Sequence, residues 1–385
     1  MLFKRNKDQE SDQYDDSVYL KEAPVVQNVD GDDYGVAPVR TSRHPRNWSR
    51  RKWIIFLLIT VLLIVGIIVG VVVGVKMNKY PNYYKVNYGL VDSYSGPSFF
   101  NNFDYFTGAD PTQGFVNYLD AAGSEQYNLT SVTQTTAILK VDTSQAAATT
   151  GRMSARIESK MQWNEGLFIF DVLHTPNGCG TWPALWLTDP SNWPYNGEID
   201  VAEGVNGATT GNQITLHTSD GCSMGVKRKE TGSVMNTNCY NSTNNNAGCA
   251  VQGPSYTFGQ AFNDNGGGVY ATELRSAGIR SWFFQRSSIP TDILMGTPDP
   301  SSWGTAMADF PNTDCNIGSH FQNQSIIANI DLCGSWAGDP NVYSTQDGCP
   351  GTCTDYVANN PSAFTDAYWE FGTFNIYQAA DGSNP

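Results

Sequence analysis

From Trp53 to Val75 the chain runs 23 residues without a charge, rich in Ile, Leu, Val and Gly. Such a run leaves few options. In hydrocarbon every backbone N–H and C=O must be satisfied within the segment, and a helix of about 20 residues does this across a bilayer. The run begins more than fifty residues in, too late for a cleaved signal peptide. Arg40, Arg43, Arg46, Arg50, Arg51 and Lys52 precede it, and Lys76, Lys79 and Lys85 follow it. That excess of positive charge places the N-terminus in the cytosol. The expectation is a single-pass type II membrane protein. Residues 53–75 form the signal anchor in the lipid bilayer, and the chain beyond them is luminal or extracellular.

The remaining composition agrees. All eight cysteines (179, 222, 239, 249, 315, 333, 349 and 353) follow the apolar run. An even count in an oxidising compartment reads as disulfides, with the pairing left open. Zinc is disfavoured, since the sequence has no C-x-x-C pair and four histidines. N-glycosylation sequons fall at Asn128, Asn241 and Asn323 on the outer side, while Asn47 should be cytosolic and unmodified. Residues 1–52 carry ten Lys/Arg against nine Asp/Glu, and the rest thirteen against twenty-eight, a net of −15. So acidic a region argues against nucleic acid or polyanionic sugars and suits a neutral polysaccharide. Residues 1–52 lack apolar periodicity and read as a disordered cytosolic tail. Residues 76–95 hold five tyrosines and read as an interfacial belt and stalk.

From residue 96 to 385 short strand patterns alternate with Gly-, Asn- and Pro-rich loops. Candidate strands are 153–161, 166–172, 181–187, 197–203, 213–217, 269–274, 279–284 and 326–330. Long helical patterns are absent, so this region reads as one all-β sandwich domain.

Within it, Gly197-Glu198-Ile199-Asp200-Val201-Ala202-Glu203-Gly204 puts three carboxylates within six residues. Val and Ile favour a strand, on which side chains alternate. Glu198 and Asp200 then share a face, and Glu203 points away. One extra residue in a β-bulge, at Val201 or Ala202, returns Glu203 to their face. The two glutamates would stand roughly 13 Å apart at Cα by strand rise. Their carboxyls, leaning inward, would lie about 5 Å apart, the separation used to cleave a glycosidic bond with retention. Sugar rings also need apolar platforms with polar rims. Trp182, Trp186 and Trp193, just upstream, combine a large apolar face with one N–H donor. His217 is placed to hydrogen-bond a carboxylate or substrate, and Asn206 and Arg156 are further candidates.

These residues carry a resemblance. The runs Gly178-Cys-Gly-Thr-Trp-Pro-Ala-Leu-Trp-Leu-Thr188, Trp193-Pro194, Gly197 to Asn206 and Thr215-Leu-His-Thr218 resemble glycoside hydrolase family 16. They are most like fungal laminarinase-like endo-1,3(4)-β-glucanases. The similarity continues through Ser281–Arg286 and through Asp331-Leu-Cys-Gly-Ser-Trp336-Ala-Gly338. It implies a concanavalin A-like β-jelly roll with an open cleft. It further implies Glu198 as nucleophile, Glu203 as acid/base, Asp200 between them and Trp336 beside the sugar. No cofactor is implied beyond an unassigned structural calcium. The resulting expectation is a retaining enzyme acting on 1,3- or mixed 1,3/1,4-β-glucan. The competing expectation is a non-catalytic glucan-binding protein that tethers or helps build a wall.

Overall fold

The computed structural model describes residues 48–382 apart from Ala208. Most of the expected cytosolic tail, and Asn47, lie outside the described residues. Two compact units are distinguished, Met1–Val65 and Gly66–Pro385. The boundary falls inside one helix, Arg50–Met77, which buries none of its residues and is long and apolar enough to cross a membrane. In the first unit Trp48 packs on Trp53 and Phe56, with ring centroids 5.6 and 5.3 Å apart.

In the second unit, the described residues form two eight-stranded sheets. One runs in the order Ser233–Val234, Cys249–Gln252, Gln213–His217, Glu198–Glu203, Thr181–Thr188, Ser325–Leu332, Arg156–Ser159, Phe103–Tyr105. The other runs Ala308–Pro311, Gly278–Gln285, Gly268–Arg275, Gly166–His174, Tyr368–Ala379, Ala137–Lys140, Thr130–Val132, with Tyr88–Ser95 also paired to Tyr368–Ala379. Strands distant in sequence lie side by side, as the crossovers of a jelly roll require. Alternation accounts for the core. Leu185, Leu187, Ile199, Val201, Leu216, Ala328 and Ile330 from the first sheet meet Phe168, Phe170, Val172, Tyr270, Phe371, Phe374 and Ile376 from the second in one buried cluster. Each buried Val, Leu, Ile or Phe among them stabilises the fold by roughly 1.5–3 kcal/mol.

The two sheets differ on their outer faces. Leu167, Ile169, Val269, Ala271 and Tyr377 of the second sheet are covered by Ile289, Ile293 and Trp303. On the first sheet the opposite face carries polar and aromatic side chains, and the carboxylates lie there.

All eight cysteines are paired: 179–349, 222–315, 239–249 and 333–353. The first two close loops of 170 and 93 residues. Loops of that size give the largest loss of unfolded-chain entropy, roughly 4–5 kcal/mol each.

Each of the eight expected strands is present. The one expected over 153–161 is divided. Arg152–Ser154 pairs in parallel with Val116–Tyr118, and Arg156–Ser159 joins the first sheet. The stalk expected at 76–95 is corrected. Tyr88–Ser95 is a sheet strand. Tyr80 and Tyr83 donate to Asp309 at 2.9 and 3.1 Å, and Tyr88 donates to Glu273 at 2.9 Å. Phenol hydroxyls leaving water need acceptors. Here the acceptors lie some two hundred residues away in sequence, beyond the reach of local pattern.

Candidate active site

The Glu198–Glu203 strand lies between Thr181–Thr188 and Gln213–His217, antiparallel to both. Against Thr181–Thr188 its register runs Glu198↔Thr188, Ile199↔Leu187, Asp200↔Trp186, then jumps to Ala202↔Leu185 and Glu203↔Ala184. Val201 is the residue left over, so the bulge sits at one of the two positions expected. It brings Glu203 onto the face of Glu198 and Asp200, while Ile199 and Val201 point into the core.

A bulge leaves backbone groups without ladder partners. Asn212 supplies both partners: its Oδ1 accepts from Glu203 N, and its Nδ2 donates to Val201 O, each at 2.8 Å. Its own backbone N–H donates to Thr257 Oγ1 at 2.9 Å. Asn212 is fully buried. Sequence reasoning missed it, and only its residue type, just before a strand, could have hinted at the role. Gly197 enters the strand at φ +69°, where a Cβ would come within 2.3 Å of His320 O. This tight approach therefore requires glycine.

Cross-strand neighbours build the rest of the site. Glu198 opposes His217, and Asp200 opposes Thr215. His217 Nε2 stands 3.3 Å from Asp200 Oδ2. That oxygen is buried and has no aligned hydrogen-bond donor among the described residues. Trp182 Nε1 donates to Glu203 Oε1 at 2.8 Å, and Trp193 Nε1 to Glu198 Oε2 at 2.5 Å. Trp336 meets Trp182 edge to face at 5.6 Å. Trp193 is 41 % exposed, so its ring faces solvent beside Glu198. Trp193–Pro194 is a cis peptide.

One row along, Trp186 Nε1 donates to Asn329 Oδ1 at 2.7 Å. The Arg156 guanidinium lies 4.9 Å from the Trp186 ring and 4.5 Å from Phe106, with Nη2 2.8 Å from Glu158. Asn329 and Glu158 were not anticipated. Asn206 is corrected. It is buried at φ +54°, accepts from Gly180 N at 2.7 Å, and donates to Asp347 at 2.8 Å and to Ala337 O at 3.2 Å. Its amide ties loops together, with both N–H groups engaged by protein acceptors and its oxygen already accepting from Gly180.

The electrostatics separate the two glutamates. Burial pushes both carboxyls up from the usual range, and the Asp200 charge adds to each. Glu203 is the more enclosed and is driven well up, with the Glu198 charge adding to the effect. On both, His217 and one indole N–H oppose the rise, that of Trp193 for Glu198 and that of Trp182 for Glu203, and the rise left on Glu203 is the larger. Glu203 therefore keeps the proton and Glu198 ionises first. Burial alone would lower the pKa of His217, but its contact with Asp200 and the charges of Glu198 and Glu203 raise it to about 10. Glu198, Asp200 and His217 also present polar atoms within 4.8 Å of one another.

A family model described as the XgeA-like catalytic GH16 domain matches residues 103–377. A probable glycosidase of Schizosaccharomyces pombe is 48% identical over 305 residues, covering 78% of this chain and 72% of that protein. A probable endo-1,3(4)-β-glucanase of Aspergillus flavus is 41% identical over 307 residues, covering 77% of this chain and 45% of the relative. The chain thus spans about half the length of that relative. Among solved structures, laminarinase 16A of Phanerochaete chrysosporium, holding two β-glucans in donor and acceptor sites, is 44% identical with a TM-score of 0.73. An elongating family 16 β-1,3-glucosyltransferase is 39% identical with a TM-score of 0.71. Each covers 76% of this chain and is itself covered completely.

Proposed function

The chain belongs to glycoside hydrolase family 16, and from that premise we propose that it is a retaining endo-β-glucanase acting on 1,3- or mixed 1,3/1,4-β-glucan. The observation that carries this reading is the bulge at Val201. It collects three carboxylates on one open face, with one retaining a proton and one poised to ionise. Glu198 attacks the anomeric carbon while Glu203 gives its proton to the departing glycosidic oxygen, so that bond breaks and a glycosyl ester forms. Glu203, now a carboxylate, takes a proton from water as the water oxygen attacks the same carbon. The ester breaks, and both side chains return to their starting states. Asp200 and His217 hold the charge around Glu198. Trp182, Trp193 and Trp186, whose N–H groups are engaged by Glu203, Glu198 and Asn329, offer ring faces to the sugars, with Trp336 and Arg156 beside them. The steps as written use two carboxyl groups and water and draw on no cofactor.

A second acceptor belongs to the same proposal. The elongating relative favours attack by a glucan hydroxyl in place of water, giving transglycosylation. We place the enzyme in a membrane through residues 53–75, as a type II protein with its catalytic domain luminal or extracellular and N-glycans on Asn128, Asn241 and Asn323. The apolar helix and the four disulfides support that placement.

The test is product analysis of the detergent-solubilised full-length protein on laminarin, mixed-linkage glucan and a 1,6-glucan, beside Glu198→Gln. Shorter oligosaccharides from the unaltered protein alone are expected. Products longer than the donor would mark the transglycosylase. Glucan binding without any change of chain length would move the account to a non-catalytic wall protein.

A further inference from the structure

Asn244, Asn245 and Asn246 stand at φ 51°, 54° and 60°. Left-handed backbone is unfavourable for residues with a Cβ and normally occurs one residue at a time. Three in succession persist only where the surroundings impose them, and such strain concentrates at functional positions. Here the surroundings are visible. The Cys239–Cys249 disulfide closes the loop. Asn241 N donates to Thr218 O, Thr243 N to Tyr240 O, and Asn246 N to Thr243 O.

The loop delivers two contacts to one ring. Asn246 is exposed, yet its Oδ1 lies 2.9 Å from His217 Nδ1. Gly248, at φ +59°, lies so close that a Cβ there would come within 2.9 Å of His217 Cε1. The opposite edge of the ring, Nε2, faces the orphan oxygen of Asp200.

We propose that Asn246 is a positioning residue for the reaction, accepting the His217 Nδ1–H and so holding a charged imidazolium with its Nε2–H toward Asp200. The proposal rests on the preceding assignment of the chemistry to Glu198 and Glu203. Its logic is that of donors and acceptors. An ionised Asp200 only accepts, so Nε2 carries a hydrogen. With Oδ1 facing Nδ1, that nitrogen carries one as well, and the ring is cationic. The ionisable groups facing the ring are Glu198, Asp200 and Glu203, all on one strand. Residues 243–248 and strand Cys249–Gln252, packed on its other side, contain no ionisable side chain. The cation therefore answers only to the carboxylates, and its charge opposes the rise that burial and Asp200 impose on Glu198. The amide acts through His217 and touches no sugar atom.

The experiment uses full-length protein in detergent micelles, labelled with ¹⁵N in the imidazoles of its four histidines, and follows His217 through a pH titration. In Asn246→Leu the His217 ring loses its proton at least about one pH unit lower. The acid limb of kcat/KM moves up, and kcat falls roughly tenfold with KM little changed, the size of effect seen when a supporting hydrogen bond is removed. Asn246→Asp, which can only accept, restores kcat and raises the His217 titration above that of the unaltered protein. An unshifted His217 in both variants overturns the proposal. If Asn246→Leu does not fold, the titration of Asn246→Asp decides alone, and an unchanged value overturns it. The spectra need no substrate. Inactivity on every glucan would therefore sink the glucanase assignment and not this one.

Discussion

Three carboxylates gather twice in the Gly66–Pro385 unit, in different company. On the open face Glu198, Asp200 and Glu203 share one imidazole and two indole N–H groups. At the other sheet Glu273 and Asp309, with Glu230 from a neighbouring loop, face three guanidinium groups. Arg228 Nη2 lies 2.8 Å from Glu230, and Arg280 and Arg275 lie 2.5 and 3.4 Å from Glu273. Asp309 takes the hydroxyls of Tyr80 and Tyr83, and the Arg280 guanidinium lies 4.1 Å from the Tyr83 ring. Charge balance separates the two. The balanced cluster clamps the segment that leaves the apolar helix. The unbalanced one must retain a proton, and that is what general acid catalysis needs. Burial is common to both, so burial alone does not make a carboxylate reactive.

This contrast is broken most sharply by substitution on each side. Glu198→Gln or Glu203→Gln lowers kcat by about 10⁴-fold or more, the scale of acid–base and nucleophile losses. The melting temperature holds or rises, because the amide keeps the side chain's size and cannot ionise in the buried site. Arg280→Met does the reverse. It leaves Glu273 short of a partner and costs about 3–5 kcal/mol of stability, while kcat of the folded protein is unchanged. Steady-state kinetics and thermal unfolding on the same samples check both. Loss of stability in the glutamate variants, or loss of kcat in Arg280→Met, would erase the contrast.

A smaller effect is expected in pH dependence. His217 has a folded-state pKa raised to about 10 from an ordinary 6.5. Its stabilising contribution is thus complete below about pH 6.5 and is lost as pH rises toward 10. Glu203, also raised, acts in the same direction. The melting temperature should decline across that window, and His217→Gln should flatten the decline. An equal slope in the variant would mean that the imidazole is not held as a cation.

How much of this was legible in the sequence depended on distance along the chain. The face shared by Glu198, Asp200 and Glu203 follows from alternation plus one extra residue, information contained in six positions. The tryptophans lie close enough upstream to be read with them. Asn212 could not be read, because its role consists of two hydrogen bonds to Val201 and Glu203 that exist only once the chain has turned back. Asn206 presents the complementary case. It adjoins the motif, but its amide is consumed by Gly180, Ala337 and Asp347. The tyrosines after the helix suggested a membrane interface, since nothing local reveals that Asp309 and Glu273 accept their hydroxyls. The cysteine pairing stayed open likewise, as separations from 10 to 170 residues are set by the fold alone.

The central claim is that Glu198 forms the bond to sugar while Glu203 handles the proton. The most direct measurement is to find which carboxylate carries the sugar. The full-length protein would be treated with an activated 2-deoxy-2-fluoro-β-laminaribioside, digested and analysed by mass spectrometry. The account predicts the fluorosugar on the peptide containing Glu198, and on that side chain. Label on Glu203 or Asp200, or turnover to an inverted α-product with no labelled peptide, would contradict it.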